Sequence, residues 1–298
     1  LIDWPSGLHG AVAAADIEGA EVERGAAPPV LVDATAADTT TSLLDARDRG
    51  WSLVLANKIP LTGSYRAFLA LTAGGRGARW ETTVASSLPV VQTLQTIVDS
   101  GDEVHWISGT LSGSLGFVME QLESGRALSD AVRAAIGLGL CEPDPRHDLN
   151  ARDVARKALI LARMLGYDLA LQDVRVEGLV PTRLEELDTT EFLARLPELD
   201  PAMEARLSGA GSALRFLATI GRGEIAARLV VVDRSSPLAA TPASNSIVVF
   251  ETSAYDRHPL VLSGRVGGAA GTALGVYADV VAICRGIAPE HQGEAGTA

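Results

Sequence analysis

The sequence has 298 residues, of which 47% are hydrophobic, and a formal net charge of -12 at pH 7. This length accommodates one large domain or two, and the negative charge argues against binding to nucleic acid or anionic membranes, which requires basic patches. No apolar run is long enough to cross a bilayer, and no signal segment is recognisable. The two cysteines, Cys141 and Cys284, lie far apart without a Cys/His cluster, which predicts a reduced cytoplasmic protein without structural zinc.

The first 88 residues contain a predicted strand–helix–strand unit. Buried strands are predicted at residues 30–35 and 51–56, with a helix at residues 38–49 between them. Such a unit is typical of a parallel sheet with a right-handed crossover, and these sheets bind ligands beyond the carboxyl ends of their strands. Thr35 and the pair Asn57-Lys58 follow the two strands, so they are either ligand-binding residues or ordinary strand-end turns.

The rest of the chain alternates between predicted helices and strands. Strands are predicted at residues 79–84, 104–107, 174–180, 214–220, 225–232, 247–250 and 259–262. Helices are predicted at residues 11–17, 90–98, 115–122, 129–138, 190–196, 201–207 and 273–284. The succession of strands after residue 174 favours a second domain built on a mainly antiparallel sheet, whose surface would supply a dimer contact.

Residues 141–166 are the most informative stretch of the chain. An acidic loop with two prolines precedes a predicted helix, which Asp148 or Asn150 would cap at its start. Four apolar side chains repeat at helical spacing and predict the buried face of this helix: Val154, Ala158, Leu161 and Leu165. The helix therefore brings the acidic loop next to a hydrophobic core.

The chain contains only two lysines, Lys58 and Lys157, while its other cationic side chains are arginines. Asp153 lies four residues before Lys157, so the simplest interpretation of that pair is a solvated ion pair on the helix surface. A surface ion pair tolerates arginine, but a group that must gain and lose a proton does not, because guanidinium stays protonated. The retained lysines favour a chemical role for both amines, and chance survival is the alternative.

The segment at residues 142–157, with the sequence EPDPRHDLNARDVARK, resembles the substrate-site signature of homoserine dehydrogenases, especially the form fused to aspartokinase. The resemblance is ungapped there and extends from about residue 30 to residue 282. It implies an α/β plus α+β fold, with a partial Rossmann-type nucleotide-binding domain at residues 1–88, completed by residues 264–285. A substrate-binding, catalytic and dimerisation domain is expected at residues 89–263, and a disordered tail at residues 286–298.

The resemblance implies NAD(P)-dependent interconversion of L-aspartate 4-semialdehyde and L-homoserine, a step of threonine and methionine biosynthesis. Lys157 would transfer the proton, directly or through water, and Lys58 would stabilise negative charge on the carbonyl oxygen. Glu142 and Asp153 would bind the amino and hydroxyl groups of the substrate, with Asp148 supporting the loop and the site. The protein is expected to be a homodimer or a higher homo-oligomer.

The resemblance also implies a cofactor site and a cation site. The residues implied to contact NADP or NAD are Thr35, Lys58 and Gly268. The residues implied to bind a monovalent cation such as sodium are Glu81, Val84, Ser86 and Leu88. Carbonyl oxygens and one carboxylate suit a hard cation, and a plain turn is the alternative. Two glycines of the family pattern are replaced by Ala85 and Ser87, which would shift or destabilise this turn if it required positive φ at those positions.

The first 29 residues depart from the family pattern. A dinucleotide-binding domain begins with a strand, a G-x-G-x-x-G loop and a helix, and none of these is recognisable there. The glycines at residues 264–271 do not have that spacing either. The chain is therefore expected to be a fragment that binds cofactor weakly. Two alternatives stay open: another NAD(P) oxidoreductase of amino-acid metabolism, and a non-catalytic oligomerisation subunit.

Overall fold

A computed structural model describes residues 28–73, 77–207, 212–221, 223–240, 242, 245–264 and 267–287. The helix predicted at residues 11–17 lies outside these residues, as does the predicted tail from residue 288 onward. Residues 286 and 287 were also assigned to that tail, but they form the last two positions of a helix. Among the described residues, no helix combines the length and the hydropathy needed to cross a membrane.

Three parallel strands form the first sheet, in the order β1 (Val30–Asp33), β2 (Ser52–Leu55) and β3 (Ala78–Arg79). Helix α1 (Thr40–Asp48) connects the first two strands, which confirms the predicted strand–helix–strand unit. The short helix α2 (Ile59–Thr62) and helix α3 (Tyr65–Thr72) lead from β2 to β3. All four residues of β2 are buried, as expected for the central strand of a sheet covered on both faces.

The strand predicted at residues 79–84 is wrong for most of its length. Strand β3 ends at Arg79, and residues 82–85 form the one-turn helix α4 (Thr82–Ala85), followed by α5 (Val90–Asp99). The β-branched run Thr82-Thr83-Val84 suggested a strand, but the Thr83 hydroxyl and amide both donate to the Trp80 carbonyl. These local hydrogen bonds turn the chain and override the strand propensity.

A six-stranded mixed sheet forms the second layer, in the order β5-β7-β6-β4-β8-β9. Its strands are β4 (Val104–Thr110), β5 (Arg175–Val176), β6 (Ser212–Gly221), β7 (Glu224–Asp233), β8 (Ser246–Thr252) and β9 (Leu260–Gly264). Only the β5–β7 pair is parallel, which confirms the predicted, mainly antiparallel sheet. Strand β5 is shorter than the predicted 174–180 because the chain leaves the sheet and the Leu179 amide donates to the Leu149 carbonyl.

The helices of the second layer are α6 (Gly113–Glu123), α7 (Leu128–Gly137), α8 (Arg146–Leu149), α9 (Arg152–Met164), α10 (Thr182–Glu185), α11 (Thr189–Arg195) and α12 (Asp200–Leu207). Helix α9 occupies the centre of the molecule, where it packs on β6 and β7 and also contacts α2, α4 and α5. The predicted apolar face is confirmed for Val154, Ala158 and Leu161, which are at most 1% exposed, whereas Leu165 follows the last helical residue and is only partly buried. The position of α9 thus joins both sheets through one core.

The last helix, α13 (Gly268–Ile287), packs back onto the parallel sheet. Val280 and Ile283 of this helix contact Val54 in β2, with Val30 and Val32 of β1 beside them. The chain therefore returns from the mixed sheet to the parallel sheet, in the way that the segment around residues 264–285 was expected to do. The domain boundaries themselves stay a prediction.

Candidate active site

A cleft of about 1310 Å³ lies between the end of the parallel sheet, the start of α9 and the start of α13. Seven of the residues singled out from the sequence line this cleft: Lys58, Ser86, Glu142, Asp148, Asp153, Lys157 and Gly268. The cleft is large by the standard of small-molecule sites, and its lining is rich in charged side chains. Segments far apart in the sequence are thus brought to one site.

Asp153 stands between the two lysines of the chain. Its Oδ2 lies 2.9 Å from Nζ of Lys157, and its Oδ1 lies 3.3 Å from Nζ of Lys58. The Lys157 ammonium also donates to the carbonyl of Leu111, at 2.6 Å. Asp153 and Lys157 do form the i,i+4 ion pair of the simplest interpretation, but the pair is not isolated on the surface. The Lys157 side chain is 15% exposed, that of Asp153 is 45% exposed, and Lys58 shares the carboxylate.

Both lysines determine the charge of Asp153. Burial raises the pKa of this carboxyl, but the positive charges of Lys157 and Lys58 outweigh that effect and lower the pKa to about 2. Asp153 is therefore ionised throughout the neutral range. Its two oxygens hold the Lys58 and Lys157 nitrogens on one side of the cleft.

The predicted cap of α9 is wrong, and Ala151 occupies the N-cap position without a side-chain hydrogen bond. Ala151 has φ 54° and ψ 18°, a left-handed conformation that is unfavourable for a residue with a Cβ. Asp148 does not cap α9, because its Oδ1 accepts from the Ser114 hydroxyl and its Oδ2 accepts from the Glu142 amide. Asp148 thus ties the acidic loop to the start of α6.

The acidic loop is also anchored from its outer side. Arg146 donates to the carboxylate of Asp144, at 2.6 Å, and to the carbonyl of Leu187. Hydrogen bonding by Arg146 lowers the pKa of Asp144 to about 2. Glu142, whose side chain is exposed, lines the cleft on the inner side of this loop. The loop is therefore held at both ends while Glu142 remains accessible to a ligand.

The carboxyl ends of β1 and β2 are joined by a buried polar network. The Asp33 carboxylate accepts from the amide and hydroxyl of Thr35, from the Thr39 hydroxyl and from the Asn57 side-chain amide. The Asn57 Oδ1 accepts from the Ile59 amide, which fixes the backbone on both sides of Lys58. Thr35 is not among the residues that line the cleft. Asp33 was missed in the sequence because it lies inside the strand rather than after it.

The turn after α4 contains Ser86, whose φ of 57° makes it one of two non-glycine residues with positive φ among those described. The other is Ala151, so both lie at the cleft or at the helix that lines it. Ala85 and Ser87, which replace glycines of the family pattern, do not have positive φ, so the condition under which they would strain the turn is not met. Helix α13 packs tightly here, because a Cβ on Gly275 would lie 2.4 Å from the Thr82 side chain.

Glu81 lies behind this turn and is only 9% exposed. Its carboxylate accepts from the amides of Val91 and Gln92 at the start of α5, at 2.7 and 2.8 Å. Desolvation, opposed by those hydrogen bonds and assisted by the nearby charge of Asp279, raises the pKa of Glu81 to about 7. The Asp279 carboxylate accepts from the Glu81 amide, and burial raises its own pKa to about 6.

Backbone groups at the cleft were not predictable as functional. The loop at residues 108–114 supplies the Leu111 carbonyl to Lys157, and the Ser112 hydroxyl caps α6 by accepting from the Leu115 amide. A carbonyl is present in every residue, so no sequence signal marks Leu111. Arg156, the residue before Lys157 in α9, also lines the cleft.

The sequence profile described as homoserine dehydrogenase matches residues 89–281. The chain is 37% identical over 262 residues to a bifunctional aspartokinase/homoserine dehydrogenase of Haemophilus influenzae, covering 85% of this chain and 32% of that protein. It is 35% identical over 274 residues to a homoserine dehydrogenase of Paracoccidioides brasiliensis, covering 85% of this chain and 74% of that protein.

A hyperthermophilic archaeal homoserine dehydrogenase, solved in complex with NADPH, has the same fold, with a TM-score of 0.66 at 23% identity over 87% of this chain and 72% of that one. The chain spans 32% of the length of its bifunctional relative and about three quarters of the length of its fungal relative, at 74%. The profile match and the fungal relative establish one conclusion: the chain belongs to the homoserine dehydrogenase family.

Proposed function

We propose that this chain catalyses the NAD(P)-dependent interconversion of L-homoserine and L-aspartate 4-semialdehyde. The observation that supports the proposal most strongly is the cluster of Lys58, Asp153 and Lys157, which places two amines and one ionised carboxylate at the same cleft. Family membership does not favour the other two alternatives, a different amino-acid oxidoreductase or a non-catalytic subunit.

Lys157 is the proposed proton-transfer group. Asp153 and the Leu111 carbonyl fix its ammonium, which leaves the third N–H for the substrate oxygen or a bridging water. In homoserine oxidation the amine form takes the hydroxyl proton, and in the reverse direction the ammonium returns it to the oxygen. An amine serves this role because its protonation can change near neutral pH, which that of a guanidinium cannot.

The remaining charged residues would bind and polarise the substrate. Lys58 favours the negative charge that develops on the reacting oxygen, as electrostatic stabilisation requires. Glu142 and Asp153 are the proposed partners for the amino and hydroxyl groups of the substrate, since a desolvated ammonium needs carboxylates. Both oxygens of Asp148 accept hydrogen bonds within the protein, so we propose that it acts mainly by holding the backbone of Glu142.

The nicotinamide cofactor, NADP or NAD, would supply or accept the hydride. Gly268 and Lys58 are its proposed contacts at the cleft, and Thr35 is a proposed contact at the neighbouring strand end. The backbone at Gly268 fits a flat ring, because this residue has φ +67° and a Cβ there would meet no described atom within 4 Å. The solved archaeal relative contains NADPH.

We also propose a monovalent cation, such as sodium, at the turn formed by Glu81, Val84, Ser86 and Leu88. The buried Glu81 carboxylate supports this proposal, because its raised pKa indicates that positive charge is lacking around it. No group of three or more His, Cys, Asp or Glu side chains is arranged for a metal in the described ranges, so backbone carbonyls would have to supply the other ligands.

Three broader predictions are retained from the sequence. We propose a homodimer or higher homo-oligomer, for which the mixed sheet offers a surface. We propose that residues 1–88 with 264–285 bind the nucleotide and that residues 89–263 bind the substrate. A cytoplasmic location is predicted from the two cysteines, which are both unpaired in the structure.

The proposed activity is tested by following the nicotinamide absorbance with L-homoserine and either NADP or NAD. Because the sequence predicts weak cofactor binding, turnover by the parent protein is expected at high cofactor concentrations, and Lys157→Met should lower kcat by about 10²–10⁴-fold, the range for general acid–base catalysis. Absence of turnover at saturating concentrations of both cofactors, or a Lys157→Met variant as active as the parent, would contradict the proposal.

A further inference from the structure

Arg163, in the last turns of α9, is a charged side chain buried inside the molecule. It is only 2% exposed, and desolvation lowers its pKa. The mechanism proposed above assigns it no role, since Arg163 does not line the cleft. A buried guanidinium is costly unless its N–H groups are hydrogen-bonded, so its contacts indicate what it does.

The guanidinium reaches across to the segment that follows Lys58. Its Nη1 donates to the Leu61 carbonyl at 2.6 Å, and its Nη2 donates to the Gly63 carbonyl at 2.6 Å. Nε and Nη2 also donate to the Leu169 carbonyl, at 3.1 and 2.8 Å. The acceptors Leu61 and Gly63 lie about 100 residues before Arg163 in the chain.

Aromatic rings fix the orientation of this side chain. The guanidinium carbon lies 5.9 Å from the ring centroid of Tyr65 and 5.8 Å from that of Phe68, and the two rings are stacked on each other. The planar guanidinium packs against two rings and donates to three carbonyls. These contacts allow little rotation of α2 relative to α9. Arg163 therefore fixes two elements that each carry part of the lysine cluster.

The sequence positions make this contact relevant to the site. Lys58 is the residue that precedes α2, while Asp153 and Lys157 lie on the same helix as Arg163. The Lys58–Asp153 ion pair, with 3.3 Å between nitrogen and oxygen, thus connects the same two elements that Arg163 connects at their other ends. On the other side of Lys58, Asn57 fixes the backbone through the Ile59 amide.

We infer that Arg163 is a positioning residue for the active site: it holds α2 against α9 and so keeps Lys58 beside Asp153. The kinetic part of this inference rests on the proposed function, but the structural part does not. A displacement of about 1 Å at a reacting centre can lower turnover about 10²-fold, so loss of Arg163 should lower kcat by about 10–10²-fold.

A spectroscopic test uses the two-lysine composition of the chain. Protein labelled with ¹³C at the lysine ε position should give two side-chain signals, which Lys58→Arg assigns. In Arg163→Met, the Lys58 signal should shift or broaden strongly while the Lys157 signal changes less. The matched control is Val132→Ala, a core truncation in α7, which should leave both signals unchanged.

A double-mutant cycle based on kcat tests whether Arg163 acts through Lys58. Arg163→Met should lower kcat about 10–10²-fold in the parent but less than about twofold in the Lys58→Met background, because the residue it positions is then absent. Val132→Ala should have the same small effect in both backgrounds. If Arg163→Met does not fold, Arg163→Gln, which keeps two N–H donors, replaces it in both tests.

An unchanged Lys58 signal in a folded Arg163 variant would overturn the inference. So would an equal loss of kcat in the parent and Lys58→Met backgrounds, because Arg163 would then act independently of Lys58. If the parent shows no homoserine turnover, the proposed function fails, while the NMR comparison still decides whether Arg163 positions Lys58.

Discussion

Asp153, whose side chain is 45% exposed at the cleft, and Glu81, which is 9% exposed, are two carboxylates to which the protein gives opposite properties. Two lysines lie within 3.3 Å of Asp153, and its pKa falls to about 2. Glu81 accepts only backbone N–H groups among its hydrogen bonds in the structure, it lies near a second carboxylate, and its pKa rises to about 7.

The comparison shows that burial alone does not determine whether a carboxylate is charged. Desolvation raises the pKa at both residues and is the largest effect at each. What differs is the presence of positive charge, which both lysines of the chain supply at Asp153. This contrast predicts that Asp153 is ionised beside its two amines, and that a cation from solution would increase the ionised fraction of Glu81.

The largest expected effect concerns the amine of Lys157. Lys157→Arg preserves the positive charge beside Asp153 but removes the group that can exchange its proton, so kcat should fall about 10²–10⁴-fold. Steady-state turnover of homoserine measures this. The control is Arg66→Lys on the exposed face of α3, which should change kcat little. A Lys157→Arg variant within about threefold of the parent would show that the charge alone is required.

The next effect concerns the cation proposed at Glu81. Replacing sodium with tetramethylammonium, which is too large for the turn, should lower the stability of the parent by about 1–2 kcal/mol if sodium exceeds its dissociation constant about tenfold. Glu81→Gln should remove this difference. Thermal unfolding in the two salts at equal ionic strength measures it. Equal sensitivity of parent and variant to sodium would mean that Glu81 does not bind the ion.

A smaller effect is expected for the acid stability of Asp153. Its pKa is lower in the folded state than the ordinary value of 3.8, so ionised Asp153 stabilises the fold above that pH, and this contribution disappears as the pH falls toward about 2. Asp153→Asn should therefore be less stable than the parent near neutral pH, with a difference that narrows on acidification. Urea unfolding at several pH values tests this, and a difference independent of pH would contradict it.

The smallest effect concerns Ala151 at the start of α9. Its left-handed φ of 54° costs about 1–2 kcal/mol for a residue with a Cβ, and glycine avoids this cost but loses up to about 1 kcal/mol in entropy. Ala151→Gly should therefore stabilise the protein by up to about 1 kcal/mol. Ala155→Gly, in the same helix with ordinary helical geometry, should destabilise it by about 1 kcal/mol or more. Destabilisation by both substitutions would show that Ala151 is unstrained.

The fold was largely predictable wherever apolar periodicity was strong. The strands of both sheets and the buried face of α9 follow from such patterns, because burial of regularly spaced side chains dominates there. The prediction was wrong where hydrogen bonds outside the regular strand pattern decide the structure. The Thr83 hydroxyl and amide donate to the nearby Trp80 carbonyl and turn the chain after β3, against the strand propensity of the local sequence. The Leu179 amide donates to the Leu149 carbonyl, which lies 30 positions away, so the local sequence does not show this partner.

The site was predictable from residue chemistry more than from spacing. The two lysines were notable because the chain otherwise uses arginine, and the family signature contains Glu142, Asp148 and Asp153. The Lys58–Asp153 contact and the Leu111 carbonyl were not predictable, since one joins residues 95 positions apart and the other is a backbone group. Arg163 could not be singled out from the sequence either, because the sequence does not distinguish a buried arginine from an exposed one.

Chemical rescue tests the central claim, that the Lys157 amine transfers the proton, most directly. Lys157→Ala removes an amine whose side chain is 15% exposed at the cleft, which leaves space for a small primary amine from solution. The account predicts that methylamine or ethylamine restores homoserine turnover in proportion to the concentration of its free base. Turnover of Lys157→Ala that is unaffected by added amines, together with a fully active Lys157→Arg variant, would contradict it.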